Sequence, residues 1–311
     1  MLNRRNFALA VAGALAPWPA FAREPLPEAE EPFLIDASAD RDKRLTIPVL
    51  IGDQGPFDFV VDTGADRSAL AIDVAEALGL PAGRTVRVQG ISGAELTPTV
   101  QAPMLDLGKL SLASQELPIL PRNRLGVDGL LGVDALQRRR LVMDFGARRL
   151  EIRPTSGIFS THPNRSEAIV TARDKYGRLV VIDATADTTP VTAFVDSGAG
   201  ITIANRALAE QIQAQGGWRE AATQARVYGV TNHVATGEVR TLDTLRLGGL
   251  RFSSVPLVVS DLDLFDRWGL ADKPTILLGV NVLRLFSRVE MDYGRRRMMF
   301  RVGADPMIWQ V

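Results

Sequence analysis

The chain of 311 residues balances 36 Lys and Arg against 36 Asp and Glu, holds two His and no Cys, and is 46% hydrophobic, an ordinary globular composition. Without net charge, and with a pI near 6.8, it lacks the basic footprint that binds nucleic acid or an anionic membrane surface. Having no thiol excludes a disulfide scaffold, a Cys nucleophile, an iron–sulfur site and a Cys-bearing zinc site, and the isolated His162 and His233 exclude a His-rich metal site.

Residues 1–22 read as an address. Arg4-Arg5 precede Phe7, an Ala-rich run from Ala8 to Ala16, Pro17 and a small-x-small site at Ala20-Phe21-Ala22. This resembles a twin-arginine export signal cut after Ala22. The apolar run is shorter than the ~20 residues a membrane span needs, so no stable membrane anchor is expected and the mature chain is placed in the periplasm or outside the cell. An oxidising compartment without disulfides leaves the core to hold the fold unaided. Residues 23–40 form a leader, acidic and Pro-rich from Arg23 to Pro32, which reads as flexible.

Arg44 to Gly52 and Phe57 to Asp62 alternate or run apolar between turn signals, and predict short strands. Ala71 to Leu78, followed by Gly79, predicts a short helix closed by a glycine. Val86 to Val100 is β-rich with a glycine-containing tip, which predicts a long hairpin. The same rhythm then returns. Leu179 to Ala184 and Val191 to Asp196 are strands, Asn205 to Gln215 is a helix before Gly216-Gly217, and Ala225 to Val239 is a second hairpin.

The chain therefore repeats itself. Phe59-Val60-Val61-Asp62-Thr63-Gly64-Ala65 is answered 134 positions later by Ala193-Phe194-Val195-Asp196-Ser197-Gly198-Ala199. Leu130-Leu131-Gly132-Val133-Asp134 is answered by Leu277-Leu278-Gly279-Val280-Asn281, and Asp144-Phe145-Gly146 by Asp292-Tyr293-Gly294. The organisation expected is two lobes, 41–155 and 166–303, joined through the Pro/Ser/Thr-rich stretch Pro154 to Arg165. The second copy is longer, and the polar, loop-like Asp261 to Pro274 is expected to hold the surplus.

Chemistry is expected where an apolar strand ends in an acid. The strand buries the stem of Asp62 or Asp196, the following glycine lets the backbone turn sharply, and the hydroxyl of Thr63 or Ser197 can tie one turn to another. One such triplet is a weak signal, but two at repeat-equivalent places are specific.

Between residues 40 and 302 the chain resembles the retropepsin-like aspartic proteases, with both halves of the usual two-fold dimer fused in one polypeptide. The resemblance implies a mostly β fold of two tandem retropepsin-like β-barrel lobes with short helices, related by a pseudo-two-fold axis, with the cleft between them. It also implies that Asp62 and Asp196 meet as the catalytic dyad, supported by Thr63, Gly64, Ser197 and Gly198. Gly132 and Gly279 would lie on strands threading behind each turn, and two flaps would cover the substrate with tips near Gly90-Ile91-Ser92-Gly93 and Gly229-Val230-Thr231. Two adjacent carboxylates share a proton and activate a water, so the implied activity is endopeptidase cleavage of protein or peptide substrates by a monomer, with no metal and no cofactor. The alternative is a catalytically silent peptide-binding protein on the same fold.

Departures from the pattern are visible. Asp66 matches the retroviral Asp-Thr-Gly-Ala-Asp motif as a substrate-binding residue, but Gly200 stands at its place in the second half. Val133 and Val280 occupy positions where retroviral members carry Arg. Tyr228 reads either as a flap tyrosine over the substrate or as a half-buried strand residue. The arginine clusters at 138–140, 148–149 and 295–297 read as solvated hairpin charges.

Overall fold

A computed structural model describes residues 33–108, 110–137, 139–155, 167–175, 178–181 and 183–302. The export signal, residues 23–32 of the leader, Arg138 of the first arginine cluster and residues 156–165 of the stretch joining the lobes lie outside them. Among the described residues the strands form two sheets, one of 10 strands and one of 15.

The first lobe is built on the hairpin Leu45–Ile51 and Gln54–Val61. The second strand leaves its turn exposed and ends fully buried at Phe59, Val60 and Val61. That gradient exists because Gly129–Leu131 runs parallel beside it, Phe59 facing Gly129 and Val61 facing Leu131, and strands covered on both sides read as continuous apolar runs. The second lobe repeats the device. Thr192–Val195 lies parallel to Thr275–Leu278, with Val195 opposite Leu278.

Both expected helices form. Ile72–Ala77 buries Val74 and Ala75 and stops at Leu78, before Gly79 at φ +58°. Arg206–Ala214 buries Leu208 and Ile212, and the Asn205 side chain caps it by accepting from Leu208 N–H.

The lobes share a sheet that the sequence divided between them. Arg139–Asp144 pairs antiparallel with Phe286–Asp292, and the order continues outward to Arg149–Pro154 and Phe33–Asp36 on one side, and to Arg297–Val302 and Glu167–Lys175 on the other. Residues 139–154 therefore belong to this common floor rather than to the first lobe's own sheet. The leader is corrected as well. Phe33–Asp36 pairs with Arg149–Pro154 and Ser38–Ala39 with Leu45–Ile51, so residues 33–39 are built into the fold because an apolar triplet can pair with an open strand edge.

The hairpin arginines divide. Arg148, Arg149 and Arg295 to Arg297 are exposed beside turns in which Asp144 and Asp292 accept from Ala147 and Arg295 N–H. Arg140 is instead buried against Asp292, Nη2 to Oδ2 3.1 Å, which corrects the solvated reading. Asp261 to Pro274 is also more than a loop. It contains the helix Asp263–Arg267 and buries Leu264, Phe265 and Trp268, spaced so that they share one helical face. The Trp268 ring stacks on Phe194 at 4.5 Å.

Candidate active site

Each acid stands where its buried strand ends. Asp62 N–H donates to Leu131 O at 2.8 Å and Asp196 N–H to Leu278 O at 3.0 Å, so the parallel neighbour carries the ladder to the last residue. The chain then turns back on the carboxylate. Asp62 Oδ1 accepts from Gly64 N–H (2.8 Å) and Ala65 N–H (3.0 Å), and Asp196 Oδ1 accepts from Gly198 N–H (2.9 Å) and Ala199 N–H (3.2 Å). Two N–H donors hold one oxygen of each carboxyl in place.

The two turns interlock. Thr63 N–H donates to Ser197 Oγ (3.1 Å) and Ser197 N–H to Thr63 Oγ1 (3.0 Å), while Thr63 Oγ1 donates to Val195 O (2.9 Å) and Ser197 Oγ to Val61 O (2.6 Å). Thr63 and Ser197 are buried. Serine in place of threonine keeps every one of these bonds.

Glycine is required because each carboxylate lies against the opposite turn. A Cβ on Gly64 would stand 2.5 Å from Asp196 Cγ, and one on Gly198 would stand 2.2 Å from Asp62 Cγ. Gly132 and Gly279 serve a different approach, that of the strands behind. A Cβ there would fall 2.7 Å from the Arg67 backbone carbon and 2.4 Å from that of Ile201.

Beneath each turn lies a second ring that sequence reasoning missed. Gly132 N–H donates to Ser68 Oγ, whose own hydroxyl and N–H donate to Asp134; Gly279 N–H donates to Thr202 Oγ1, whose hydroxyl and N–H donate to Asn281. The signal was available. Ser68 and Thr202 each stand six positions after an aspartate, and Asp134 and Asn281 each follow a Gly-Val pair. Arg44, which carried no such signal, donates Nη2 to Leu125 O (2.7 Å) and Nη1 to Gly198 O (3.3 Å), bracing the second turn from the first lobe.

Both aspartates open into one cleft of about 980 Å³, at the upper end of small-molecule pockets and spacious enough for several residues of extended peptide. Asp62 is half-buried and Asp196 is 7% exposed. Two hairpins roof the cleft: Ala82–Gln89 with Ala94–Ala102, and Thr223–Tyr228 with Val234–Leu247. Their tips touch. Asn232 N–H donates to Glu95 Oε2 at 3.0 Å, and a Cβ on Gly229 would meet Ile91 Cγ1 at 2.7 Å. The helix Asp263–Arg267 holds the first tip through Leu264 N–H to Ile91 O (3.2 Å) and Arg267 Nη1 to Gln89 Oε1 (2.5 Å).

Of the expected substrate-facing residues, Asp66, Gly90, Ile91, Tyr228 and Gly229 line this cleft. Tyr228 is 59% exposed rather than half-buried. Ser92 does not line it. Ser92 instead borders a separate cavity of about 750 Å³ beside the helix Arg206–Ala214, because the chain bends at the tip, where Gly90 N–H donates to Gly93 O at 2.8 Å. Gly93 meets the other flap, accepting from Thr231 Oγ1 at 3.4 Å. At the two departures from the retroviral pattern the valine backbone ties to the turn instead: Val133 N–H donates to Ala65 O and Val280 N–H to Ala199 O. Among the described residues no helix is long and apolar enough to cross a membrane.

A family model described as "Aspartyl protease" matches the chain twice, over residues 47–135 and 182–282, once in each half. No curated protein matches it.

Proposed function

From the premise that the chain belongs to the aspartyl protease family, we propose that it is an active aspartic endopeptidase whose dyad is Asp62 and Asp196. The observation that carries this reading is the crossing of the two turns, each carboxylate packed against the other's glycine and both opening into one cleft. Two carboxylates so close resist double ionisation and share one proton. The ionised member takes a proton from a water as its oxygen attacks the scissile carbonyl carbon, and the protonated member donates to the carbonyl oxygen. The tetrahedral intermediate collapses as the C–N bond breaks, the leaving nitrogen takes a proton from one aspartate and a hydroxyl of the intermediate returns a proton to the other, which restores the shared proton. Thr63 and Ser197 position the turns; neither touches substrate. Both turns come from one chain, which supports a functional monomer, checked by mass in solution. Arg4-Arg5 and the Ala20-Phe21-Ala22 site support work outside the cytoplasm, checked by export of a chain carrying Arg4→Lys and Arg5→Lys.

The test is cleavage of a diverse peptide pool by the chain begun at Arg23, between about pH 3 and pH 8, beside Asp62→Asn and Asp196→Asn. Cuts that vanish in both variants are expected. Cuts that persist in both overturn the dyad, and a folded chain that binds peptides without cutting them is a silent binding protein.

A further inference from the structure

The cleft wall is more basic than the molecule. Apart from the dyad its carboxylates are Asp42 and Asp66, whereas Arg44, Arg67, Arg87, Arg124, Arg226 and Arg267 all line it, in a chain without net charge. Two of these are engaged in structure. Arg44 pairs with Asp40 and braces the second turn, and Arg267 holds Asp263 at 3.3 Å and Gln89 at 2.5 Å. The guanidinium groups of Arg87, Arg124 and Arg226 make no hydrogen bond or ion pair with a described residue.

Arg87 and Arg226 also correspond to one another. Each lies on the ascending strand of its flap, Ala82–Gln89 or Thr223–Tyr228, three positions before the tip glycine, Gly90 or Gly229, and each is exposed. Equivalent places on the two flaps thus each bring one arginine to the cleft wall. Exposed at the cleft wall and unengaged by described side chains, both guanidinium groups are open to what enters.

We infer that the cleft selects peptides carrying carboxylate side chains on both sides of the scissile bond, with Arg87 and Arg226 as the specificity-determining residues. This rests on the endopeptidase reading above. Guanidinium recognises carboxylate through paired, charge-assisted hydrogen bonds that strengthen where a closed flap displaces water. An extended peptide directs alternate side chains to opposite walls, so each flap arginine meets one acidic side chain while Ile91, Ile201 and Trp268 receive the apolar residues nearest the cut.

The experiment separates binding from cleavage. Fluorescence anisotropy is measured at about pH 6, where peptide carboxylates are ionised, on the chain carrying Asp62→Asn and Asp196→Asn. The probes are labelled peptides with Glu, or Gln in the same places, on both sides of a central apolar pair. The Glu peptide is expected to bind about tenfold tighter, less so as salt rises, and to lose that advantage when Arg87→Gln and Arg226→Gln are added. Equal affinity for the two peptides, including measurable binding of neither, overturns the inference, as does an advantage that survives both arginine substitutions. Should the combined variant fail to fold, each arginine substitution is made singly in the active chain and the Glu-to-Gln ratio of kcat/KM is read; an unchanged ratio in both overturns it equally. A Glu advantage in binding beside an active-site-intact chain that cuts neither peptide sinks the endopeptidase reading and leaves this one standing.

Discussion

Below the carboxylates the two halves share one hydrogen-bond pattern; above them they part. Ser68 and Asp134 hold Gly132 as Thr202 and Asn281 hold Gly279, and the hydroxyls of Thr63 and Ser197 exchange equivalent bonds. Over the cleft, the first half has the short helix Arg122–Leu125, whereas the second half lengthens the same connection to Asp261–Pro274, whose helix carries Trp268 onto Phe194 and reaches across to the first flap at Ile91 and Gln89. The wall differs too, with exposed Asp66 on one side where Gly200 packs near Asp42 on the other. The repeated turns and their supports place the two carboxylates alike, while the covering segments shape the two ends of the cleft differently.

The largest effect that can break this comparison is at the dyad. Asp62→Asn and Asp196→Asn are each expected to lower kcat by about a thousandfold or more, and the double variant to be little worse than either, because the acids act as one unit. Gly64→Ala and Gly198→Ala come next. A Cβ overlapping the opposite carboxylate moves a reacting group by about an ångström, and a loss of about a hundredfold in kcat is expected from both.

Stability sharpens the contrast between floor and cover. Trp268→Ala, at a place where the first half has the smaller Leu125, is expected to cost about 3–5 kcal/mol in denaturant unfolding. Thr63→Val and Ser197→Ala should cost about 1–3 kcal/mol each and nearly the same amount, since each strips a buried hydroxyl of mirrored bonds; a large inequality would show that one lobe bears the interlock. The smallest change is the exchange at the second ring. Asp134→Asn and Asn281→Asp are each expected to cost about 1 kcal/mol, the latter by losing the Nδ2 donation to Pro256 O.

What could be read in advance was local or repeated. Asp62-Thr63-Gly64 and Asp196-Ser197-Gly198 stood out because each ends an apolar strand and each has a copy, and Gly79 and Asn205 marked helix ends by capping chemistry that involves only near neighbours. The helix Asp263–Arg267 escaped because four charged residues at Asp261, Asp263, Asp266 and Arg267 mask an apolar face of only three side chains. Arg140 escaped for the opposite reason. It looks solvated in a run of arginines, and only its partner 152 positions away explains its burial.

The sequence by itself determined the duplication, the strand that ends in each acid, the sharp glycine turns and the two hairpins, because period, turn residues and repetition act over a few neighbouring residues. Tertiary structure alone decided that residues 33–39 join the sheets, that the floor is shared between the halves, that Ser92 borders a separate cavity and that Arg87 and Arg226 line the cleft. Those outcomes depend on which edge, face or charge a distant segment presents, and closing the chain supplies that neighbour.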